Sequence, residues 1–218
     1  MSLKGKNTTP FPGIQPYKES ESSSFYARDR EVEDVLSILQ RYKVVTVSGE
    51  NGAGKTSLIN AGVIPKLKNK FPGQSGKDWV VCNLRPGIAP IENLSHALSD
   101  SGALYLNGKS KTTDHKNYTR IIEEKKDLGL IEIFGNSEIH EKKNLLIVID
   151  QLEDLFKYTD FFDSKKSLED NVLFDLIYST SRYKETAIYF IIVIQTAYIS
   201  KLNSYDRFTE LLNYSQYT

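Results

Sequence analysis

Eight consecutive residues, Gly49-Glu50-Asn51-Gly52-Ala53-Gly54-Lys55-Thr56, have the types and spacing needed to hold a chain of phosphates. Glycines let successive backbone N–H groups curl round an anion with no Cβ in the way. A helix starting there turns its positive end towards the same anion. In such a loop Lys55 reaches the β- and γ-phosphates, the Thr56 hydroxyl ligates Mg²⁺, and Ser57 completes the nucleotide-contacting set.

Further polar residues stand where apolar runs end. Asp150 follows Leu145-Leu146-Ile147-Val148-Ile149, the place where a site of this kind holds Mg²⁺, directly or through water, opposite Thr56, or else a turn aspartate caps the next helix. Glu153, a little further on, suits a general base for the attacking water, or else a capping-box glutamate at a helix N-terminus. Gln151, directly after the aspartate, cannot take a proton. Gln195 ends another apolar run, where it could sense the γ-phosphate or position water, or simply close a strand. Arg85 offers either a positive charge to the cleft or an exposed turn arginine.

These residues need a rigid frame. Lys43 to Ser48, Asp78 to Leu84, Asn144 to Asp150 and Ala187 to Gln195 read as strands, apolar on both faces in the strongest cases. Between them lie helical patterns: Asp29 to about Gln40, Ser57 to Ile64 with Pro65 near the end, Ile91 to Leu98, Tyr118 to Phe134 interrupted near Gly129, Ser167 to Ser181, and Ile199 to Leu212. A short helical stretch is expected over Leu152 to Tyr158. Ser22 to Ser24 offer N-cap chemistry, Phe71 to Lys77 a Pro/Gly-rich loop, and Ser99 to Lys116 a polar loop. Strands alternating with helices predict an α/β fold, a three-layer α/β/α sandwich with a mainly parallel sheet. Ligands of such sheets lie beyond the carboxyl ends of the strands.

Composition narrows the field. Lys+Arg and Asp+Glu are 28 each in 218 residues, so nothing in the charge asks for nucleic acid or an anionic membrane. The longest apolar stretch is too short to span a bilayer, and no secretory signal opens the chain. The single cysteine, Cys82, excludes an intramolecular disulfide framework and suits a reducing cytoplasm. His96, His115 and His140 lack metal-ligand spacing.

Four further stretches accompany the loop in order: Phe11-Pro12-Gly13-Ile14-Gln15-Pro16-Tyr17, Phe25-Tyr26-Ala27-Arg28-Asp29-Arg30-Glu31, Asn83-Leu84-Arg85-Pro86-Gly87 and Asp150-Gln151-Leu152-Glu153-Asp154-Leu155-Phe156. Together they resemble the novel-STAND group of bacterial signal-transduction NTPases, from about Pro10 onward. The resemblance implies an AAA+-related regulatory P-loop ATPase using ATP and Mg²⁺, flanked in its full-length protein by effector and sensor domains and self-associating on activation. It also implies that Tyr26, Arg28 and Asp29 pack near the base and ribose. The group usually has Gly where Ala27 stands and Arg where Gln195 stands. The second departure puts turnover in question more than binding. On this reading residues 1–9 are a disordered leader or expression scar, and 10–42 contribute to the base pocket. Residues 43–218 form the NTPase core, a fragment truncated as its last strand begins near Tyr217.

Three functions follow. The first is a nucleotide-dependent switch in bacterial signalling or defence, binding ATP with Mg²⁺ and hydrolysing it slowly. The others are a continuously hydrolysing ATPase and an interaction module holding nucleotide without turnover. No Asn-Lys-x-Asp guanine-reading motif is present, which disfavours GTP.

Overall fold

A computed structural model describes residues 13, 15–70, 77–102, 111–157 and 164–218, with only the backbone at 70, 111–114 and 164–167. The expected leader, Pro10 to Pro12, most of the 71–77 loop and Tyr158 lie outside the described residues.

The apolar runs pair as a five-stranded parallel sheet: β1 Val44–Gly49, β2 Asp78–Leu84, β3 Lys143–Ile149, β4 Ile188–Gln195 and β5 Gln216–Tyr217, in the order β2-β3-β4-β1-β5. The strand expected near Tyr217 is present, two residues long, pairing Thr46 with Gln216 and Val47 with Tyr217. Register aligns the strand ends that matter. Gly49 lies opposite Gln195, and Leu84 opposite Ile149. The residues just beyond, Arg85 and Asp150, therefore emerge side by side, with Asp150 N–H donating to Leu84 O at 2.9 Å.

Both faces are covered, as parallel strands buried on two sides require. One is packed by α1 (Asp29–Tyr42) and the helical run after the phosphate loop. Val32, Val35, Leu36 and Leu39 form the buried stripe of α1. The other face carries α4 (Pro90–Asp100), α5 (Lys111–Lys125), α6 (Gly129–Gly135), α8 (Ser164–Arg182) and α9 (Asp206–Ser215), with Leu94, Ile122, Ile133, Phe174 and Phe208 among the core residues. Lys43, at φ +60°, ends α1 in the left-handed region. Its Nζ donates to the carbonyls of Tyr183, Lys184 and Thr186 at 2.9, 3.2 and 2.6 Å, tying that helix end to the entry of β4.

Several expectations need correction. Ser22 to Ser24 do not cap α1; they lie in a 3₁₀ turn, Glu19–Ser24, and Arg28 occupies the N-cap position. The helix at Pro65 does not stop there. It runs as α2 (Lys55–Ser57), a π-helical segment (Leu58–Val63) and α3 (Ile64–Lys70). The π register carries Ile64 N–H to Ile59 O, so Pro65 follows a segment whose hydrogen-bond ladder is already shifted from the α pattern. A helix already begins at Lys111, inside the expected loop. The expected interruption near Gly129 is present, as a 3₁₀ turn, Lys126–Leu128, with Lys126 at φ +53°. The closing helix is two pieces, 3₁₀ Thr196–Ser204 and α9, separated by the non-helical Tyr205.

Candidate phosphate-binding site

The loop from Gly49 to Gly54 leaves β1 and turns into α2 at the carboxyl edge of the sheet. Gly54 sits at φ +76°, so its conformation selects glycine, and a Cβ there would lie 3.1 Å from an Arg28 guanidinium nitrogen, which would have to give slightly. Lys55 bends back over the loop, its Nζ donating to Gly49 O and Glu50 O at 2.8 Å each. Burial lowers the pKa of this ammonium, against the pull of Glu153, Asp150 and Glu50.

Thr56 and Asp150 meet across the cleft. The threonine Oγ1 lies 3.2 and 3.3 Å from the two carboxylate oxygens. The Asp150 side chain is 16% exposed, and Arg85 stands 3.9 Å from its Oδ2. A hydroxyl and a carboxylate at one point form a hard-oxygen donor pair, suited to Mg²⁺, which takes few protein ligands and completes its shell with phosphate and water.

The turn after Asp150 is strained and tightly fastened. Gln151 adopts φ +59°. Its N–H donates to Asp150 Oδ1 at 3.1 Å, and Leu152 N–H to Val193 O at 3.0 Å. A glutamine in the left-handed region costs energy that the surrounding bonds must offset, and such strain gathers at functional sites. The turn delivers Glu153, 3% exposed, just before α7 (Asp154–Lys157). Its Oε2 accepts the backbone N–H of Gln195 at 3.2 Å instead of serving as a local cap. Glu153 and Gln195, apart in sequence, are thus joined.

Lys55, Thr56, Ser57, Asp150, Glu153 and Gln195 all border one cleft of about 380 Å³. Within the loop, Asn51, Gly52 and Gly54 border it too, while the Ala53 carbonyl points to Arg28 at 3.2 Å. Tyr26, Arg28 and Asp29 are placed differently. The Tyr26 side chain is 77% exposed. Arg28 donates to Gly54 O at 3.4 Å as well and pairs with Glu31. With Asp29 it borders a separate cavity of about 270 Å³ beside Phe25 and Gly62. A Cβ at Gly62 would come within 2.6 Å of Val32 and 3.1 Å of Phe25, so that glycine lets α1 and the Phe25 segment lie against the π segment.

Sequence reasoning overlooked part of the wall. Gly13, Gln15, Pro16 and Tyr17 border the cleft, and Tyr17 N–H donates to Ser57 Oγ at 3.1 Å. Their signal was their place in the Phe11–Tyr17 stretch, used for resemblance alone. Ser48 was also missed; its Oγ donates to Tyr217 O at 3.2 Å and fastens β5 beside the loop.

Cys82 is buried, and burial foremost, with Asp100, pushes its thiol up to about 12. The rings of His96 and His115 stack at 4.3 Å, yet among the described residues no group of three or more potential ligands could hold a metal through His, Cys, Asp or Glu alone. Nor, among them, is any helix long and apolar enough to cross a membrane.

The family model described as novel STAND NTPase 1 matches residues 10–218. A comparison with curated proteins finds no match. Among solved structures, a Walker-type ATPase of Pyrococcus abyssi superposes with a TM-score of 0.51 at 14% identity, over 92% of this chain and 52% of that one. This chain therefore spans about half the length of that ATPase, and a likeness at such identity concerns the fold.

Proposed function

The chain belongs to the novel STAND NTPase 1 family, and from that premise we propose that it binds ATP with Mg²⁺ and acts as a slowly hydrolysing molecular switch. The observation that carries the reading is the meeting of Thr56 Oγ1 with the Asp150 carboxylate, 94 residues away, beside the loop that ends in Lys55. On this reading the N–H groups of the loop wrap the phosphates. Lys55 gives up its two backbone carbonyls for β- and γ-phosphate oxygens. Thr56 and Asp150 would hold Mg²⁺, which would neutralise phosphate charge. Glu153, held by Gln195 N–H, orients the attacking water and takes its proton.

Slow turnover fits a β4 that ends on the neutral Gln195, which brings no charge to the developing transition state. A switch needs an element that nucleotide can bias. The Ser48–Tyr217 bond supplies a link from the loop's strand to β5, and so towards sensor and effector domains of the full-length protein. Those domains, self-association on activation, a signalling or defence role and a cytoplasmic setting belong to this proposal. The stacked His96 and His115 have no part in it.

Calorimetric titration of ATP and ADP into the full-length protein tests the reading. Mg²⁺-dependent ATP binding in the micromolar range, abolished by Lys55→Ala, is expected. Absence of nucleotide binding by the folded protein would overturn it, and rapid multiple turnover without partners would overturn the switch.

A further inference from the structure

Arg85 combines a fixed backbone with a loosely held charge. Its predecessor, Leu84, is paired to Ile149 and accepts Asp150 N–H at 2.9 Å. Its successor, Pro86, is buried, and the Pro86 carbonyl accepts Asn93 Nδ2 at 2.8 Å. Gly87, at φ +55°, then turns the chain towards α4. Between these anchors the Arg85 side chain is 66% exposed, and among the described residues its polar contact is the 3.9 Å ion pair with Asp150. An ion pair so long and so exposed holds a side chain weakly.

The charge around the cleft gives that arginine a task. Among the described residues bordering it, Asp150 and Glu153 are anionic, and Lys55 and Arg85 are the cations. A triphosphate seated there lies beside two carboxylates, and Lys55 together with the Mg²⁺ that Thr56 and Asp150 would hold still leaves the balance negative. The end of β4 adds nothing, because Gln195 is neutral. The end of β2 does.

We propose that Arg85 is a further catalytic residue, a γ-phosphate ligand supplied in cis from the end of β2. The inference rests on the ATP reading above. Without nucleotide Arg85 leans on Asp150; with ATP it moves across the cleft to the terminal phosphate. In the reaction the water oxygen bonds to the γ-phosphorus as the bond to the β–γ bridging oxygen breaks. The bridging electrons leave with ADP, and water's proton passes to Glu153. Arg85 stabilises the charge spread over the γ-oxygens. Its side chain thereby reports which nucleotide is bound, since ADP offers it no partner.

The test is a pair of titrations, Mg²⁺ with a non-hydrolysable ATP analogue and Mg²⁺ with ADP, on full-length wild type, Arg85→Ala and Arg85→Lys, with melting curves as the folding control. Arg85→Ala should weaken the ATP analogue about 10-fold, as loss of one charge-assisted phosphate contact does, and leave ADP within about 2-fold. Turnover should fall about 1,000-fold or more, the low end for an arginine at the transferred phosphate. Arg85→Lys should lie between. Equal loss for both nucleotides, or wild-type behaviour of Arg85→Ala while Lys55→Ala still abolishes binding, overturns this inference alone. Failure of the wild type to bind either nucleotide overturns the ATP reading, and this inference with it.

Discussion

Glu153 Oε2 accepts the backbone N–H of Gln195 at 3.2 Å, so the candidate base on one strand end is aimed by the peptide of another. The bond needs an acceptor, which a carboxamide oxygen also supplies, but taking water's proton needs a carboxylate. Glu153→Gln should thus keep the fold and leave the ATP dissociation constant within about 3-fold, while turnover drops about 100-fold or more, the usual range for a lost general base. Single-turnover hydrolysis beside calorimetry separates the two. Unchanged residual hydrolysis would remove Glu153 from the chemistry and favour nucleotide held without turnover.

Arg28 should behave in the opposite way to Arg85. It reaches the Ala53 and Gly54 carbonyls from outside the loop, while Glu31 fixes its guanidinium. This shapes the loop without favouring a third phosphate. Arg28→Ala should weaken ATP and ADP alike, by about 5- to 10-fold, the worth of a pair of partly exposed charge-assisted hydrogen bonds. Arg28→Lys should not restore affinity, because an ammonium cannot span two carbonyls and Glu31 in the planar manner of a guanidinium. A loss confined to one nucleotide would place Arg28 on the ligand itself.

Ala27 stands at φ +68°, in the left-handed region. The resemblance led us to expect glycine there, and the backbone gives a reason. An L-residue in that region costs roughly 1–2 kcal/mol, against about 0.4–1 kcal/mol for the extra unfolded-state freedom of glycine. Ala27→Gly should therefore stabilise the protein by about 0.5–1 kcal/mol, read from the urea midpoint at unchanged slope. A destabilised Ala27→Gly would show that the methyl group makes contacts outweighing its strain.

The frame of this site was legible because its signals are strong and local. Val, Ile and Leu runs buried on both faces locate the strands, and the glycine spacing locates the loop between β1 and α2. Asp150 was legible for the same reason, as the polar residue closing the most apolar run. What escaped depends on distant parts of the chain. The bond between Glu153 and Gln195 requires knowing that β3 and β4 are neighbours. The π segment after Ser57 is imposed by packing, with Gly62 against Phe25 and Val32, and no periodicity over so few residues announces it. The Tyr17–Ser57 bond likewise joins segments 40 positions apart. Helix ends were least legible, since Pro65 reads as a stop until the register shift is known.

Cys82 ties the core to pH. It lies on β2 opposite Ile147, and burial, with Asp100 second, raises its thiol from 9.0 to about 12. The sign follows directly. Between the unfolded and folded values the unfolded chain has lost its thiol proton and the native protein has not, so the unfolded state gains by ionising. Stability is thus fully present below the unfolded value and is lost as pH rises towards the folded one. Denaturation midpoints should fall from about pH 9 upward, and Cys82→Ala should flatten that fall while paying for a small cavity at neutral pH. Because the thiolate is the nucleophile, a disulfide reagent at pH 8 should modify native Cys82 more than 100-fold slower than the thiol in denaturant, a rough figure for a buried and neutral sulfur. Rapid modification of the native protein would mean that β2 opens readily at this strand, and that the wall carrying Arg85 is less fixed than its hydrogen bonds imply.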